Sequence, residues 1–192
     1  RINLELKFTK KKYWKPKIQI KKNLSQSDAI EGVKFHLINS LKYRMRADVP
    51  LAFCLSGGID STSLVSIAKK KFNQKVSTFS IIDKDERYNE EENINIINKE
   101  LDCDSNLLLI DKNKDLFYER MTQLVKQHDG PIATISYFIH SFLSEEIAKQ
   151  GFKVSISGTG ADEIFTGYYD HYLLHLETIK DSGHFNKNLE DW

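Results

Sequence analysis

The fold is decided by residues 51–62, which read LAFCLSGGIDST. The first five of these residues are continuously apolar, as a strand is when both faces of a parallel sheet are covered. Gly57 and Gly58 follow closely, and a helix is predicted from about Ser61 to Lys71. A buried strand, a glycine turn and a helix in this order are typical of one unit of an α/β fold.

Strands and helices alternate through most of the chain that follows. Further strands are predicted at 76–82, 106–110 and 153–157, and further helices at 89–101, 116–128, 136–149 and from 161 toward 180. This alternation predicts a parallel sheet with helices on both faces, a Rossmann-like arrangement. With a strand order of 3-2-1-4, the first and fourth strands would be neighbours, and a ligand would bind beyond their carboxyl ends. The polar tail, residues 181–192, is predicted to be a loop.

The N-terminal part has a different pattern. Residues 2–8 alternate between apolar and polar, which predicts a short strand. Residues 25–46 predict an amphipathic helix, with Ser27 as its N-cap. Its apolar stripe has five members: Ile30, Val33, Leu37, Ile38 and Leu41. We expect residues 1–25 to be a linker or N-terminal segment, and residues 26–192 to form one domain that is cut short at its C terminus.

Composition excludes several classes of function. The chain has 192 residues and a formal net charge of +1, which does not favour a nucleic-acid binder. We interpret five lysines as part of a solvated linker: Lys10, Lys11, Lys12, Lys15 and Lys17. No apolar run reaches membrane-spanning length and no signal peptide is visible. Cys54 and Cys103 lack metal-ligand spacing, and they indicate neither a zinc site nor a disulfide, so we expect a cytoplasmic setting.

Residues 56–62 have the properties of an anion-binding loop. Two glycines let the backbone approach a phosphate, and the helix that follows directs its free N–H groups at the loop. Ser56, Ser61 and Thr62 can add hydroxyl donors. No lysine follows the glycines, so this is not a Walker A loop. The alternative is an ordinary glycine turn in which Ser61 or Thr62 caps the helix.

A second loop, residues 157–163, reads SGTGADE and also joins a strand to a helix. Its backbone can bind an anion in the same way, yet Asp162 and Glu163 follow in the first helical turn. Carboxylates repel a phosphate unless a cation lies between them. We therefore predict magnesium that bridges Asp60 or Asp162 to the phosphates. The alternative is that Asp162 and Glu163 only complement the helix dipole.

The first loop resembles the SGGxDS loop of the ATP-pyrophosphatases, which cleave ATP between its α and β phosphates. The second loop, extended to Tyr168, resembles the glutamine-hydrolysing asparagine synthetase family, as do residues 46–50 and 78–81. The likeness covers nearly the whole chain and implies an adenine nucleotide alpha hydrolase-like fold. It also implies ATP and Mg²⁺ as cofactors.

The resemblance assigns a role to each loop residue. Ten positions would bind ATP: Leu55, Ser56, Gly57, Gly58, Asp60, Ser61, Thr62, Ile81, Ser157 and Gly158. Of these, Leu55, Ile81, Ser157 and Gly158 would contact adenosine. Asp60 and Ser61 would hold pyrophosphate and its magnesium, and Asp162 would lie at the metal or the acceptor carboxylate. Asp60, Thr159 and Asp162 are the expected catalytic positions.

The reaction implied is amide formation through an adenylated carboxylate, with aspartate to asparagine as the default. Ammonia would come from glutamine, by way of an N-terminal glutaminase domain that this chain lacks. A homodimer is a further expectation. No nucleic acid and no membrane is expected as a partner.

The chain departs from the family pattern at three places. Thr159 stands where asparagine synthetases have Glu, and Gly130 replaces the Glu of a D-E-P motif. A family lysine would lie beyond Trp192. Because of Thr159, the leading alternative is an amidotransferase for a sugar acid in surface polysaccharide synthesis. A tRNA-thiolating or nucleotide-amidating enzyme, or a non-catalytic binding domain, are further alternatives.

Overall fold

The computed structural model describes residues 9–17, 23–109 and 117–191. It divides into two compact units, the first ending at Leu37 and the second beginning at Ile38. The strand expected at residues 2–8 lies outside the described residues. The domain boundary expected after residue 25 stays a prediction.

Helix α1 comprises Gln26–Arg44. Its N-cap is Ser25 and not Ser27, because the Asp28 amide donates to Ser25 Oγ over 3.1 Å and that hydroxyl donates to Asp28 Oδ2 over 2.6 Å. In the first unit, the expected apolar stripe is exposed at Ile30 and Val33. In the second unit, Leu41 is buried. Residues 9–17 form no helix or strand, and Tyr13 and Trp14 are exposed.

The second unit contains a four-stranded sheet. Its strands are β1 Leu51–Cys54, β2 Ser77–Ile82, β3 Asp104–Leu109 and β4 Val154–Ile156. The order is β3-β2-β1-β4 and each neighbouring pair is parallel. This confirms the predicted order and makes β1 and β4 adjacent, with Phe53 paired to Thr78 on one side and to Ile156 on the other.

Seven further helices lie in the described part of this unit: α2 Ile59–Ser66, α3 Glu91–Leu101, α4 Phe117–His128, α5 Ser136–Lys149, α6 Ala161–Phe165, α7 Tyr169–Ile179 and α8 Phe185–Glu190. Helix α2 begins two residues earlier than predicted and continues as a π-helical segment at Ile67–Lys71. Within the described ranges, no helix is both long and apolar enough to cross a bilayer.

Two predictions for the C-terminal region are wrong. The single helix expected from residue 161 toward 180 is broken, because Thr166 has a φ of +62° and Gly167 N–H bonds back to the Asp162 carbonyl. The tail expected to be a loop contains α8. This helix is held to α7 because the Tyr172 hydroxyl donates to the Asn188 carbonyl over 2.6 Å.

Helices cover both faces of the sheet, as predicted. Side chains alternate between the faces along each strand. On one face, Phe53 and Leu55 pack with Val65 of α2 and Ile94 of α3. On the other face lies a second cluster: Ala52, Phe79, Leu143 and Ile147, the last two from α5. The core therefore consists of two layers, one on each side of the sheet.

A buried polar network joins α3 to β2 and β3. The Thr78 hydroxyl donates to Asn98 Oδ1 over 2.7 Å, and Asn98 Nδ2 donates to Ser105 Oγ over 2.9 Å. Asn98 is 5% exposed and Thr78 fully buried. Because a buried polar group needs a partner, this network selects one position of α3 on the sheet.

We predict that Asn98→Ala lowers the free energy of unfolding by about 1–3 kcal/mol, since it removes the main partner of the buried Thr78 hydroxyl. Urea-induced unfolding measures the change. Asn95→Ala, at an exposed position of the same helix, is the control and should stay within about 0.5 kcal/mol of the parent. Equal effects of the two substitutions would contradict a structural role for the network.

Candidate functional site

The two loops meet at the carboxyl ends of β1 and β4. Gly158 lies so close to the first loop that a Cβ there would be 2.9 Å from the Ser61 amide nitrogen and 3.0 Å from Asp60 Cβ. The first distance is shorter than real Cβ contacts and the second is at their lower limit, so only glycine fits without a shift of the backbone. The loops therefore form one site, as the strand order predicts.

Ser61 closes the first loop on itself. Its buried hydroxyl accepts the Ser56 N–H over 3.1 Å and donates to the Gly58 carbonyl over 3.2 Å. Gly57 reverses the chain with a φ of +84°, which favours glycine. Gly58 is the N-cap of α2 and has no side chain to cap it, so the first amides of α2 are left for a ligand.

The second loop also depends on a glycine. Gly160 has a φ of +96° and precedes α6. The Ala161 amide donates to the Gly158 carbonyl over 3.2 Å, and Ser157 Oγ donates to Thr159 Oγ1 over 3.1 Å. Thr159 is exposed, and its hydroxyl is held by Ser157 at the position where the resemblance leads one to expect a carboxylate.

The turn between α6 and α7 leaves room for the Asp162 side chain because residue 167 is glycine. A Cβ at Gly167 would lie 2.8 Å from Asp162 Cγ, so the Asp162 side chain occupies space that any other residue at 167 would need. One residue further, the Tyr168 hydroxyl donates to Glu163 Oε1 over 2.7 Å. This hydrogen bond lowers the pKa of the Glu163 carboxyl and raises the pKa of Tyr168. The hydrogen bond links α6 to the residue that precedes α7.

A cavity of about 510 Å³ opens between the loops, the sheet and α5. Nine of the residues singled out from the sequence line it: Leu55, Ser56, Asp60, Ser61, Ile81, Ser157, Gly158, Thr159 and Asp162. Gly57, Gly58 and Thr62 are not in the lining. The two glycines shape the loop, and the Thr62 hydroxyl is buried without a hydrogen-bond partner in the described structure.

Several lining residues were not expected from the sequence. Glu90 precedes α3, and four residues come from α5: Ile139, His140, Leu143 and Ser144. Cys54 and Phe79 also line the cavity, and the alternation of side chains along β1 and β2 could have placed them there. Burial raises the pKa of the Cys54 thiol above its ordinary value, and a hydrogen bond with Ser155 offsets only part of this effect. The thiol is therefore protonated at neutral pH.

The lining of the cavity is acidic. Asp60, Glu90 and Asp162 contribute carboxylates, and no lysine or arginine lines it within the described ranges. Over the same ranges, no group of three or more His, Cys, Asp or Glu side chains could hold a metal ion alone. Two carboxylates suit a hard divalent cation whose remaining ligands are water and phosphate oxygens. Asp60 and Asp162 are the residues that could hold such a cation.

The family model described as "Asparagine synthase" matches residues 32–186. Asparagine synthetase [glutamine-hydrolyzing] 1 of Bacillus subtilis is 32% identical over 141 residues, which are 72% of this chain and 21% of that protein. Putative asparagine synthetase [glutamine-hydrolyzing] 2 of Methanocaldococcus jannaschii is 33% identical over 143 residues, 74% of this chain and 27% of that protein.

A third relative has a different name. Amidase chyE of Penicillium rubens is 28% identical over 158 residues, which are 75% of this chain and 23% of that protein. The chain thus spans about a fifth to a quarter of the length of these relatives. The family match covers both loops, β1 to β4 and α2 to α7. On this evidence the chain belongs to the asparagine synthase family.

Proposed function

We propose that this chain is the ATP-binding synthetase part of an enzyme that forms amides from carboxylic acids. The observation that carries the proposal is the contact of Gly158 with the Asp60–Ser61 backbone. This contact brings the two loops, residues 56–62 and 157–163, to one cavity at the point where the sheet reverses its winding. Membership of the asparagine synthase family supports ATP as the ligand.

The triphosphate binds at the first loop, where the amides of α2 are uncapped. Adenosine lies against four residues of the lining: Leu55, Ile81, Ser157 and Gly158. Ser56 and Ser61 complete the phosphate site through the fixed backbone that their mutual hydrogen bonds maintain. Gly57, Gly58 and Thr62 do not line the cavity and contribute to the conformation of the loop.

A polyphosphate that enters this cavity meets three carboxylates. Asp60 and Asp162 are the proposed magnesium ligands, and water and phosphate oxygens would complete the shell of such a metal. When bound, magnesium offsets the negative charge of the leaving pyrophosphate. The two aspartates would hold it, one from each loop.

The proposed reaction has two steps. An oxygen of the acid substrate attacks the α-phosphorus of ATP, the bond to the β-phosphate oxygen breaks, and pyrophosphate leaves with its electron pair. Ammonia then attacks the acyl carbon of the adenylate, the bond from carbon to phosphate oxygen breaks, and AMP leaves while the nitrogen loses a proton. The uncapped amides of α2 stabilise the charge that develops on pyrophosphate.

Aspartate is the default acid, and asparagine the default product. A second candidate is another acid, such as a sugar acid in surface polysaccharide synthesis, and the exposed Thr159 hydroxyl favours it. This hydroxyl hydrogen bonds to Ser157 and supplies no charge at the position where asparagine synthetases have Glu. The relatives that are named amidases are consistent with family members that take other substrates.

The complete enzyme is proposed to draw ammonia from glutamine through an N-terminal glutaminase domain, to which residues 1–25 lead. Residues 9–17 fit a linker, since they form no helix or strand and expose Tyr13 and Trp14. Dimerisation and a cytoplasmic location are further proposals of the same kind.

The full-length protein should release pyrophosphate from Mg·ATP only when an acceptor acid is present, because the acid is the nucleophile. The measurement is a coupled pyrophosphate assay with aspartate, other amino acids and sugar acids in turn. Asp60→Asn is expected to lower the rate by at least about 100-fold, since it removes a proposed metal ligand. Release with aspartate selects asparagine synthesis, and release with another acid selects the second candidate. No release with any acid would contradict the proposed ligase.

Gly158→Ala should weaken ATP binding by about tenfold or more, because the added methyl pushes the loops apart. Isothermal titration with Mg·ATP measures the affinity, and circular dichroism checks that the fold is kept. Gly183→Ala is the matched control, since a Cβ there meets no atom within 4 Å. Wild-type affinity in Gly158→Ala would show that loop contact is not needed for binding.

A further inference from the structure

We propose that His140 and Ser144 of α5 contact the adenosine part of the bound nucleotide and set its affinity. This inference rests on the proposed function, because it takes the cavity to be the ATP site. Neither residue belongs to the two loops that the family pattern identifies. Both line the cavity.

The position of α5 determines which part of the nucleotide it meets. Leu143 is buried in the same cluster as Phe79, with Ile81 packed against that cluster. Ile139 and Leu143 therefore contribute, with Ile81, Phe79 and Leu55, to the apolar part of the cavity. A purine base prefers such a surface, whereas the phosphates belong to the uncapped amides of α2. Consequently, α5 lies at the nucleoside end of the cavity.

His140 and Ser144 are four residues apart, so they lie on one face of α5. The Ser144 hydroxyl donates to the His140 carbonyl over 2.9 Å, which commits its proton and leaves its lone pairs as acceptors. An acceptor next to an apolar slot suits the amino group of adenine or a ribose hydroxyl. The imidazole of His140 offers a nitrogen donor or acceptor to the same edge.

Contacts on the far side keep this wall in place. Arg120 of α4 donates to Ser141 Oγ over 3.1 Å and pairs with Glu145 Oε2 over 2.5 Å, and its guanidinium lies 3.8 Å from the centre of the Phe142 ring. These contacts fix α4 against α5. A second cavity of about 460 Å³ lies between the two helices, and His140 and Ser144 line it as well.

The second cavity supplies a matched control. His128, at the end of α4, lines only this cavity and not the candidate ATP site. His140 and His128 are both exposed, so substitution of either is not expected to unfold the chain. A loss of nucleotide affinity on substitution of His140, but not of His128, would then report contact between His140 and the nucleotide.

The test measures the affinity of the full-length protein for AMP and for Mg·ATP by isothermal titration. His140→Ala and Ser144→Ala should each lower the affinity for AMP and for Mg·ATP by the same factor, about three- to tenfold. The reason is that each substitution removes one hydrogen bond to adenosine, which the two ligands share. His140→Gln, which keeps a hydrogen-bonding group, should lose less, and His128→Ala should stay within about twofold.

Wild-type affinity in both His140→Ala and Ser144→Ala would overturn the inference and leave the proposed function standing. A loss for ATP without a loss for AMP would also overturn it, since it would place these side chains at the phosphates. If the wild-type protein itself binds neither AMP nor Mg·ATP, the proposed function is overturned together with this inference. The titration of the wild-type protein therefore distinguishes this case from a failure of the inference alone.

Discussion

The site depends on one close approach, that of Gly158 to the backbone of Asp60 and Ser61. Parallel pairing of β1 with β4 brings the two loops to the same edge of the sheet, and the absence of a side chain at Gly158 lets them touch. Both strands are short and held by two apolar layers, with Phe53 and Ile156 in one and Ala52 in the other. The core therefore serves to hold two backbone segments in contact.

Charge explains the rest of the arrangement. Backbone amides at the first loop attract an anion, yet Asp60, Glu90 and Asp162 surround the same cavity. These carboxylates repel a polyphosphate unless a cation accompanies it, and magnesium is the cation proposed for this role. Because Gly167 has no side chain, Asp162 has room at this cavity, where it is a proposed ligand of that cation.

The two loops and the strand order could be predicted from the sequence, because a continuous apolar run followed by adjacent glycines and a helix has few structural solutions. The wall formed by α5 could not, since the pattern of a helix shows which face is apolar but not which edge of the sheet it covers. The sequence contains a local sign of the break after Phe165, because glycine at 167 disfavours a continuous helix. The apolar periodicity of residues 161–180 nevertheless favoured a single helix. Helix α8 depends on a hydrogen bond from Tyr172 to a distant carbonyl, and no local pattern shows that.

We propose that two loops, 101 residues apart in the chain at Ser56 and Ser157, bind one nucleotide. Amide hydrogen exchange of the full-length protein, with and without Mg·ATP, tests this most directly. We expect slower exchange in both 57–61 and 158–161 on addition of Mg·ATP, with little change in α8. Protection of the first loop alone, with unchanged exchange at 158–161, would show that the two loops do not bind one nucleotide together.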